Sequence, residues 1–226
     1  MFEKAGQGRG MKTIVCYGDS NTHGTVPITN LGDRHRYAHD QRWPGVMAKR
    51  LRPQWRVIEE GLPGRTTVHD DPIEGPQRNG KSGLPISLET HRDIDLLIIM
   101  LGTNDLKPRF GVSAYEIAAS AGKLAMIAKA SQCGPDGGAP KILLVAPPPA
   151  RETGVLAEMF AGAKAKSERF GELYRKAARD NGCLYLDAGD IIESSATDGV
   201  HFEPDMHARL GNAIADLIEQ DSGLYI

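Results

Sequence analysis

A serine, an aspartate and a histidine in this sequence have the residue types and the spacing that nucleophilic catalysis requires. Ser20 follows a Gly-Asp pair at the end of an apolar run, and His201 comes three residues after Asp198. A serine hydroxyl becomes a useful nucleophile when an adjacent imidazole removes its proton, and a carboxylate on the other ring nitrogen holds that imidazole in the required tautomer. We therefore predict an acyl-transfer site in which Ser20 is the nucleophile, His201 the base and Asp198 its acid partner.

The same reaction needs hydrogen-bond donors for the negative oxygen of its tetrahedral intermediate. The backbone N–H groups of Ser20 and Gly64 and the side-chain amide of Asn104 are the candidates. Each such donor is typically worth about 10²–10³ in rate when it is held in place before the reaction. We predict that these three groups form the oxyanion hole.

Each of these residues also has a purely structural interpretation when it is considered alone. Residues 19–21 are all good helix N-caps, and Asp198-Gly199 is a common turn pair. Asn104 could equally be a turn residue after a strand, and His201 alone is explained as well by an ordinary surface histidine. Their joint occurrence in one order along the chain favours the catalytic interpretation, in which Asp19 holds the turn before the nucleophile.

Five apolar runs predict the β-strands that position these residues, at residues 14–17, 56–61, 95–101, 141–145 and 183–187. Helices are predicted at residues 43–51, 113–130, 163–181 and 205–220, and long loops at residues 21–42 and 62–85. This alternation predicts an α/β fold, a three-layer α/β/α sandwich with a parallel sheet. Because parallel strands end at one edge of the sheet, Ser20 and Asn104 should lie close together.

Composition limits the classes of protein to which the chain can belong. It has 226 residues, a formal net charge of −2 and 40% hydrophobic residues, which predicts one globular domain at residues 11–226 after a flexible extension at residues 1–10. No basic surface for nucleic acid is indicated, and no apolar run approaches the roughly 18 residues that span a membrane. Neither the three cysteines nor the histidines have metal-ligand spacing. We expect a cytoplasmic protein that uses no metal and no organic cofactor.

Four short blocks together give the chain a close resemblance to the SGNH/GDSL hydrolases. The blocks are Gly18-Asp19-Ser20 for the nucleophile, residues 60–67 with Gly64 for the oxyanion glycine, Gly102-Thr103-Asn104-Asp105 for the asparagine, and Asp198 with His201 for the acid and base. The resemblance runs from residue 12 to the last helix. It implies a flavodoxin-like five-stranded parallel sheet in the order 2-1-3-4-5, with the site at its carboxyl edge.

Within that family, the sequence at residues 18–21, 42–45, 58–62 and 99–105 resembles a bacterial arylesterase branch. The resemblance implies a serine esterase that forms an acyl-enzyme from short-chain (acetyl-like) or aryl esters, and the branch includes acyltransferases to alcohols or peroxide. A carbohydrate O-acetyl esterase of the same family is one alternative. A flavodoxin-like protein that only binds a small ligand is the other. The chain departs from the commonest pattern at Asn21, where leucine is usual, and in its second block, which lacks an asparagine near the start.

Loop residues are expected to form the walls of a small apolar pocket for short acyl chains. Trp43, Leu62, Pro63 and Phe110 are predicted to line it together with residues 147–149, although Trp43 could equally be a core residue. Arg65 is expected in a surface or intersubunit salt bridge. In the resembling branch, insertions such as residues 24–42 and 68–85 build subunit contacts, so the resemblance implies a homo-oligomer that acts on a small-molecule ester.

Overall fold

A computed structural model of the chain describes residues 10–221, which form five strands and seven helices. The strands are β1 (Lys12–Gly18), β2 (Trp55–Gly61), β3 (Leu96–Met100), β4 (Lys141–Ala146) and β5 (Leu184–Asp187); the helices are α1 (Ser20–His23), α2 (Trp43–Leu51), α3 (Gly80–His91), α4 (Ala114–Ala130), α5 (Ala163–Ser167), α6 (Phe170–Asp180) and α7 (Pro204–Gln220). Apart from Gly10, the predicted extension at residues 1–10 lies outside the described residues. The division into an extension and one domain therefore stays a prediction.

All five strands are parallel and belong to one sheet in the order β2-β1-β3-β4-β5. The predicted α/β fold and the predicted strand order 2-1-3-4-5 are confirmed. Gly18 at the end of β1 pairs with Gly61 of β2 on one side and with Met100 of β3 on the other. These three strands therefore end at the same level, and the turns that follow them meet at one edge of the sheet.

Alternate side chains along the strands enter two separate cores, because successive strand residues point to opposite faces of a sheet. Ile14, Cys16 and Ile98 face one side, where α2 and α7 supply Met47, Leu51, Leu210 and Ile214. Val15, Leu97 and Ile99 face the other, where α3, α4 and α6 supply Leu84, Leu88, Leu124 and Ala178. Every residue of β3 is buried, as expected for a central parallel strand that is covered on both faces. The result is the predicted three-layer sandwich.

Helix α3 was missed by the sequence prediction, which assigned residues 62–85 to a loop. The helix begins at Gly80, where the Asn79 side chain accepts hydrogen bonds from the backbone N–H groups of Lys81 and Ser82. Two glycines and Pro85 hide it in the sequence, because they are the poorest residues for a helix interior. Burial of Leu84 and Leu88 against the sheet nevertheless stabilises it. The helix predicted at residues 163–181 is divided into α5 and α6.

Candidate active site

The turn after β1 places Ser20 at the carboxyl edge of the sheet. A side chain at Gly18 would lie 2.0 Å from Thr22 Oγ1, so the strand can turn this sharply only at glycine. Asp19 then caps α1, because its Oδ1 accepts a hydrogen bond of 2.9 Å from the Asn21 backbone N–H. The prediction that Asp19 holds this turn is confirmed. The structural interpretation of residues 19–21 as a helix cap is therefore compatible with a catalytic role of Ser20, because the capped turn is what places Ser20 at the sheet edge.

Ser20, His201 and Asp198 form a continuous hydrogen-bonded series. Ser20 Oγ lies 3.1 Å from His201 Nε2, and His201 Nδ1 lies 2.6 Å from Asp198 Oδ2. All three residues are buried. With Nδ1 protonated toward the carboxylate, Nε2 is free to accept the proton of the serine hydroxyl. The structure thus brings together the three residues predicted as nucleophile, base and acid.

Asp198 is surrounded by donors that favour its ionised form. Its Oδ2 also accepts a hydrogen bond of 2.8 Å from the Ile28 N–H, and its Oδ1 accepts bonds of 3.0 and 2.9 Å from the N–H groups of Val200 and His201. Burial alone would raise the pKa of Asp198, but the hydrogen bond and charge of His201, with the backbone N–H groups, outweigh it and lower the pKa. At neutral pH the carboxylate is therefore charged and can hold the imidazole.

Gly199 gives the loop before α7 its shape. Its φ of 79° lies in the left-handed region, and a Cβ there would stand 2.1 Å from the Arg151 carbonyl oxygen. The Arg151 N–H in turn donates to the Gly199 carbonyl over 2.8 Å. The close approach of these two backbone segments requires glycine, and it fixes the loop that contains Asp198 and His201.

Asn21 connects the nucleophile turn to this loop, a role that the sequence interpretation missed. Its Nδ2 donates a hydrogen bond of 3.1 Å to the Val200 carbonyl. A leucine, which is usual at this position in the resembling family, could not make this bond. The asparagine at position 21, in place of the usual leucine, was therefore the sequence signal for a contact between the turn that contains Ser20 and the loop that contains Asp198 and His201.

Gly64 and Asn104 line the same cleft as Ser20. Gly64 follows β2 with a φ of 78°. Asn104 Nδ2 donates to the Arg65 carbonyl over 3.1 Å, while its contact with Asp19 Oδ2 is long, at 3.5 Å. The second N–H of the Asn104 amide is therefore only weakly engaged. The arrangement suits the predicted oxyanion hole, whose assignment stays a proposal.

The cleft that contains Ser20 and His201 has a volume of about 470 Å³. Pro63 lines it, as predicted. Its apolar wall comes mainly from other residues, which are Ile28, Leu156, Met159, Phe160 and Val200. Leu31 and Ile73 lie at the cleft with 60% and 74% of their surface exposed. Charged residues also line it, which are Asp33, Arg34, Glu74, Arg78, Lys107 and Arg109.

Three of the predicted pocket residues lie elsewhere, which corrects the sequence interpretation. Trp43 is 1% exposed and packs in the core between α2, α7 and the sheet. Phe110 packs against the ring of His69, with the ring centroids 5.7 Å apart. Leu62 is held by a backbone bond to the Gly18 carbonyl, and neither it nor the prolines at residues 147–149 line the cleft. The wall around Leu156 was missed, although Leu156, Met159 and Phe160 have the i, i+3, i+4 spacing of one helical face.

Arg65 is also placed differently from the prediction of a surface or intersubunit salt bridge. It is buried, its guanidinium lies 4.0 Å from the centre of the Tyr17 ring, and it donates to the carbonyl oxygens of Gly18 and Glu60. Arg65 therefore ties together the carboxyl ends of β1 and β2 beneath the site. Among residues 10–221, no group of three or more His, Cys, Asp or Glu side chains is arranged to hold a metal ion.

The chain is similar to known proteins over most of its length. The sequence model of the GDSL-like lipase/acylhydrolase family matches residues 16–209. The chain is similar to Est24, a carbohydrate acetylesterase from Sinorhizobium meliloti, with 41% sequence identity and a TM-score of 0.87 over 92% of this chain and 98% of that chain. It is similar to the native aryl esterase of M. smegmatis, with 39% identity and a TM-score of 0.87 over 92% and 98%. A carbohydrate acetylesterase family member from Sinorhizobium meliloti is 35% identical, with a TM-score of 0.86 over 96% and 100%. A search of curated proteins returned no significant match.

Proposed function

The chain belongs to the GDSL-like lipase/acylhydrolase family, and from this premise we propose that it is a serine esterase that works through an acyl-enzyme. The observation that carries the proposal is the series Ser20–His201–Asp198, with contacts of 3.1 and 2.6 Å, at a cleft wide enough for a small ester. Neither a binding protein nor a structural protein needs a serine hydroxyl to face an imidazole that is itself held by a buried carboxylate.

In the first half of the proposed reaction, Ser20 Oγ attacks the ester carbonyl carbon while His201 Nε2 takes its proton. The imidazolium that forms is stabilised by Asp198, which stays ionised because its pKa is lowered by His201 and the surrounding N–H groups, despite burial. His201 then donates the proton to the oxygen of the departing alcohol. The products of this half are the free alcohol and an acyl group on Ser20.

The negative oxygen of each tetrahedral intermediate is assigned to the backbone N–H groups of Ser20 and Gly64 and the amide of Asn104. The weakly engaged second N–H of Asn104 supports this assignment, because it can turn to a new acceptor without losing its bond to Arg65. The left-handed conformation of Gly64 supports it as well, since it sets the direction of the backbone beside Ser20. Donors fixed in this way need no reorganisation when charge develops.

In the second half, His201 activates the molecule that removes the acyl group. Water gives the free acid, whereas an alcohol or peroxide gives acyl transfer. The apolar side chains of Ile28, Leu156 and Phe160 in the lining favour an acceptor that displaces water from the cleft. The ratio of transfer to hydrolysis is measured by product analysis in mixtures of water and a simple alcohol.

We assign short acyl chains and aryl esters as the substrate class. The volume of about 470 Å³ and the partly apolar lining support it, as does the likeness to an aryl esterase. A series of p-nitrophenyl esters with maximal kcat/KM at eight or more acyl carbons would contradict it. The likeness to two carbohydrate acetylesterases supports acetylated sugars as a second candidate, which the same assays separate from aryl acetates.

The predicted homo-oligomer belongs to this proposal. The exposed apolar side chains of Leu31 and Ile73 lie at the cleft, on the two long loops that the sequence interpretation assigned to subunit contacts. No helix in residues 10–221 has the length and apolarity needed to cross a bilayer. The cytoplasmic location and the absence of a cofactor stay predictions from composition.

Labelling with a fluorophosphonate, followed by peptide mapping, tests the nucleophile. We expect the label on Ser20 alone, and we expect Ser20→Ala to abolish labelling and reduce kcat for phenyl acetate by about 10⁴-fold or more. Ser82→Ala, at an exposed serine on α3, is the matched control and should keep both. Labelling at another residue, or full activity in Ser20→Ala, would overturn the proposal in favour of the binding-protein alternative.

A further inference from the structure

A cluster of charged side chains lies in the cleft beside Gly64. Lys107, which is only 3% exposed, donates to Glu74 Oε1 over 2.6 Å. Arg109 donates to the same oxygen over 2.7 Å and to Asp71 over 2.6 Å. Lys107 and Arg109 therefore share Glu74 as a hydrogen-bond partner, and Arg109 has Asp71 as a second one, although Arg109 Nε is buried without a partner.

Arg78 is the third cation of this cluster, and its guanidinium has no hydrogen-bond partner among residues 10–221. The nearest carboxylate oxygen, Glu74 Oε2, lies 3.7 Å from Arg78 Nε, which is too far for a hydrogen bond. Nε is buried without a partner, although the side chain as a whole is 25% exposed. A guanidinium has five N–H donors, and a buried donor that stays unpaired is costly. Nε itself is closed to solvent, but the terminal Nη donors make no hydrogen bond among residues 10–221 and remain available to an acceptor that enters the cleft.

The backbone fixes the position of Arg78 next to the proposed oxyanion hole. Its carbonyl accepts a hydrogen bond of 2.9 Å from the Thr66 N–H, and its own N–H donates to the Gly75 carbonyl over 3.1 Å. A Cβ placed on Gly64 would lie 3.2 Å from Arg78 Nε and 3.3 Å from its Cδ. Glu74 Oε2 is closer to this Cβ position, at 2.4 Å. The guanidinium of Arg78 therefore lies next to Gly64 behind the Glu74 carboxylate, in the cleft that also contains Ser20.

We propose that this cleft takes esters that bear a carboxylate, and that Arg78 binds the carboxylate. The cluster of Lys107, Arg109 and Arg78 with Asp71 and Glu74 leaves one uncompensated positive charge. A planar guanidinium fork matches a carboxylate with two parallel hydrogen bonds. The inference rests on the proposed esterase function, and it narrows the substrate class to negatively charged short or aryl esters.

Matched pairs of esters test the inference by kinetics. Phenyl acetate is the neutral reference, 4-acetoxybenzoate has its carboxylate on the alcohol side, and monophenyl succinate has it on the acyl side. We expect kcat/KM of the wild type to favour one of the charged esters over phenyl acetate. In Arg78→Gln, that ratio should fall by about tenfold or more. Arg78→Lys, which keeps the charge but loses the fork, should restore part of it.

Arg34→Gln is the charge-matched control, because Arg34 also lines the cleft but already donates to the carbonyl oxygens of Leu31 and Asp33. Its substitution should lower the charged-to-neutral ratio by less than about twofold. An equal decrease of the charged-to-neutral ratio in Arg34→Gln and Arg78→Gln would show that the overall positive charge of the cleft causes the preference. It would overturn a specific carboxylate site at Arg78. No preference of the wild type for either charged ester would overturn it too.

Calorimetric titration separates this inference from the proposed function, because it needs no turnover. We expect 4-hydroxybenzoate or succinate to bind the wild type about tenfold or more tightly than Arg78→Gln. Equal affinity of both probes for the two proteins would overturn the carboxylate site, even where phenyl acetate is hydrolysed. Absence of phenyl acetate hydrolysis, with binding that depends on Arg78, would overturn the esterase and leave the anion site standing.

Discussion

Two buried aspartates lie at the proposed catalytic site, Asp19 in the turn after β1 and Asp198 in the loop before α7. Their carboxyl groups have different surroundings. Asp198 in the loop accepts three backbone N–H bonds and contacts His201. Asp19 in the turn accepts one backbone bond from Asn21 at 2.9 Å and a long contact of 3.5 Å from Asn104. Both side chains are almost closed to solvent, but only Asp198 has a direct bond to His201 and several backbone donors.

The pKa values of the two carboxyl groups move in opposite directions for this reason. Burial raises the pKa of Asp19 to about 6, and the Asn21 N–H and the charges of His201 and Arg65 only partly oppose it. At Asp198 burial also acts to raise the pKa, but it is outweighed, first by the hydrogen bond and charge of His201, and the pKa falls. Burial alone therefore does not decide whether a carboxylate can support a base. The hydrogen-bond donors and charges around the carboxylate decide this.

Of the two aspartate substitutions, Asp198→Asn should have the larger effect on catalysis, because it removes the charge that stabilises the imidazolium. We expect kcat for phenyl acetate to fall by about 10³–10⁴-fold. The new amide also faces N–H donors, which should cost about 1–3 kcal/mol in the free energy of unfolding. Steady-state kinetics and urea unfolding measure the two effects. The control Asp205→Asn, at an exposed position of α7, should change kcat less than twofold, and a loss under tenfold in Asp198→Asn would remove Asp198 from the acid role.

Asp19→Asn should mainly change how the free energy of unfolding depends on pH, and it should have less effect on kcat. An aspartate whose folded-state pKa is raised from 3.8 to about 6 keeps its proton in the folded protein while the unfolded chain loses it. The wild type should therefore lose about 2–3 kcal/mol of stability from this group between pH 4 and pH 6. Asparagine caps a helix as well as aspartate does but does not titrate, so this loss should be absent in the variant.

Urea unfolding of both proteins at pH 4 and pH 7 measures the difference. Asp198 acts with the opposite sign, since its lowered pKa stabilises the fold above the usual aspartate range and this contribution disappears as pH falls below it. Identical pH slopes for the wild type and Asp19→Asn would show that Asp19 has an ordinary pKa, and the contrast between the two carboxyl groups would then fail.

Asn21→Leu should have the smallest effect, because it breaks one bond between the two regions. Loss of the 3.1 Å contact leaves the Val200 carbonyl without this partner, but it also removes Asn21 Oδ1, which is buried without one. We expect a net loss of about 1 kcal/mol in stability and a several-fold decrease in kcat with little change in KM. Asn212→Leu, at an exposed position of α7, is the control. Unchanged kcat together with increased stability would show that Asn21 does not position the loop.

The contrast between these regions also explains what the sequence could and could not predict. The strands and the turns that follow them were predictable, because a continuous apolar run such as β3 and a Gly-Asp-Ser turn have local physical causes. The strand order came from the resemblance to the SGNH/GDSL hydrolases. The shared edge of parallel strands predicted that Ser20 and Asn104 lie close together. The placement of Asp198 and His201 beside Ser20 came from the residue types that acyl transfer requires and from the family resemblance. Side-chain partners across the fold did not follow, and the bond from Asn21 to Val200 has no local pattern.

The cleft wall was predicted poorly for the same reason. Trp43 and Leu156 are both apolar residues near loops, and only the packing decides that one enters the core of α2 and α7 while the other lines the cleft. Arg65 has a charge that suggests the surface, yet backbone carbonyls and the Tyr17 ring hold it inside. Helix α3 was hidden because burial outweighs the local preferences of its glycines and proline.

The contact between Ser20 and His201 joins positions 181 apart in the chain. Ser20 leaves the ribosome long before His201. A nascent chain can therefore build β1 and its turn, but it cannot form the acyl-enzyme until residue 201 has emerged and β3, β4 and β5 have joined the sheet. Contacts of such long sequence separation form late in folding. Esterase activity therefore requires a chain that has been synthesised and folded at least to residue 201. Truncated translation products should be inactive even where their strands have formed.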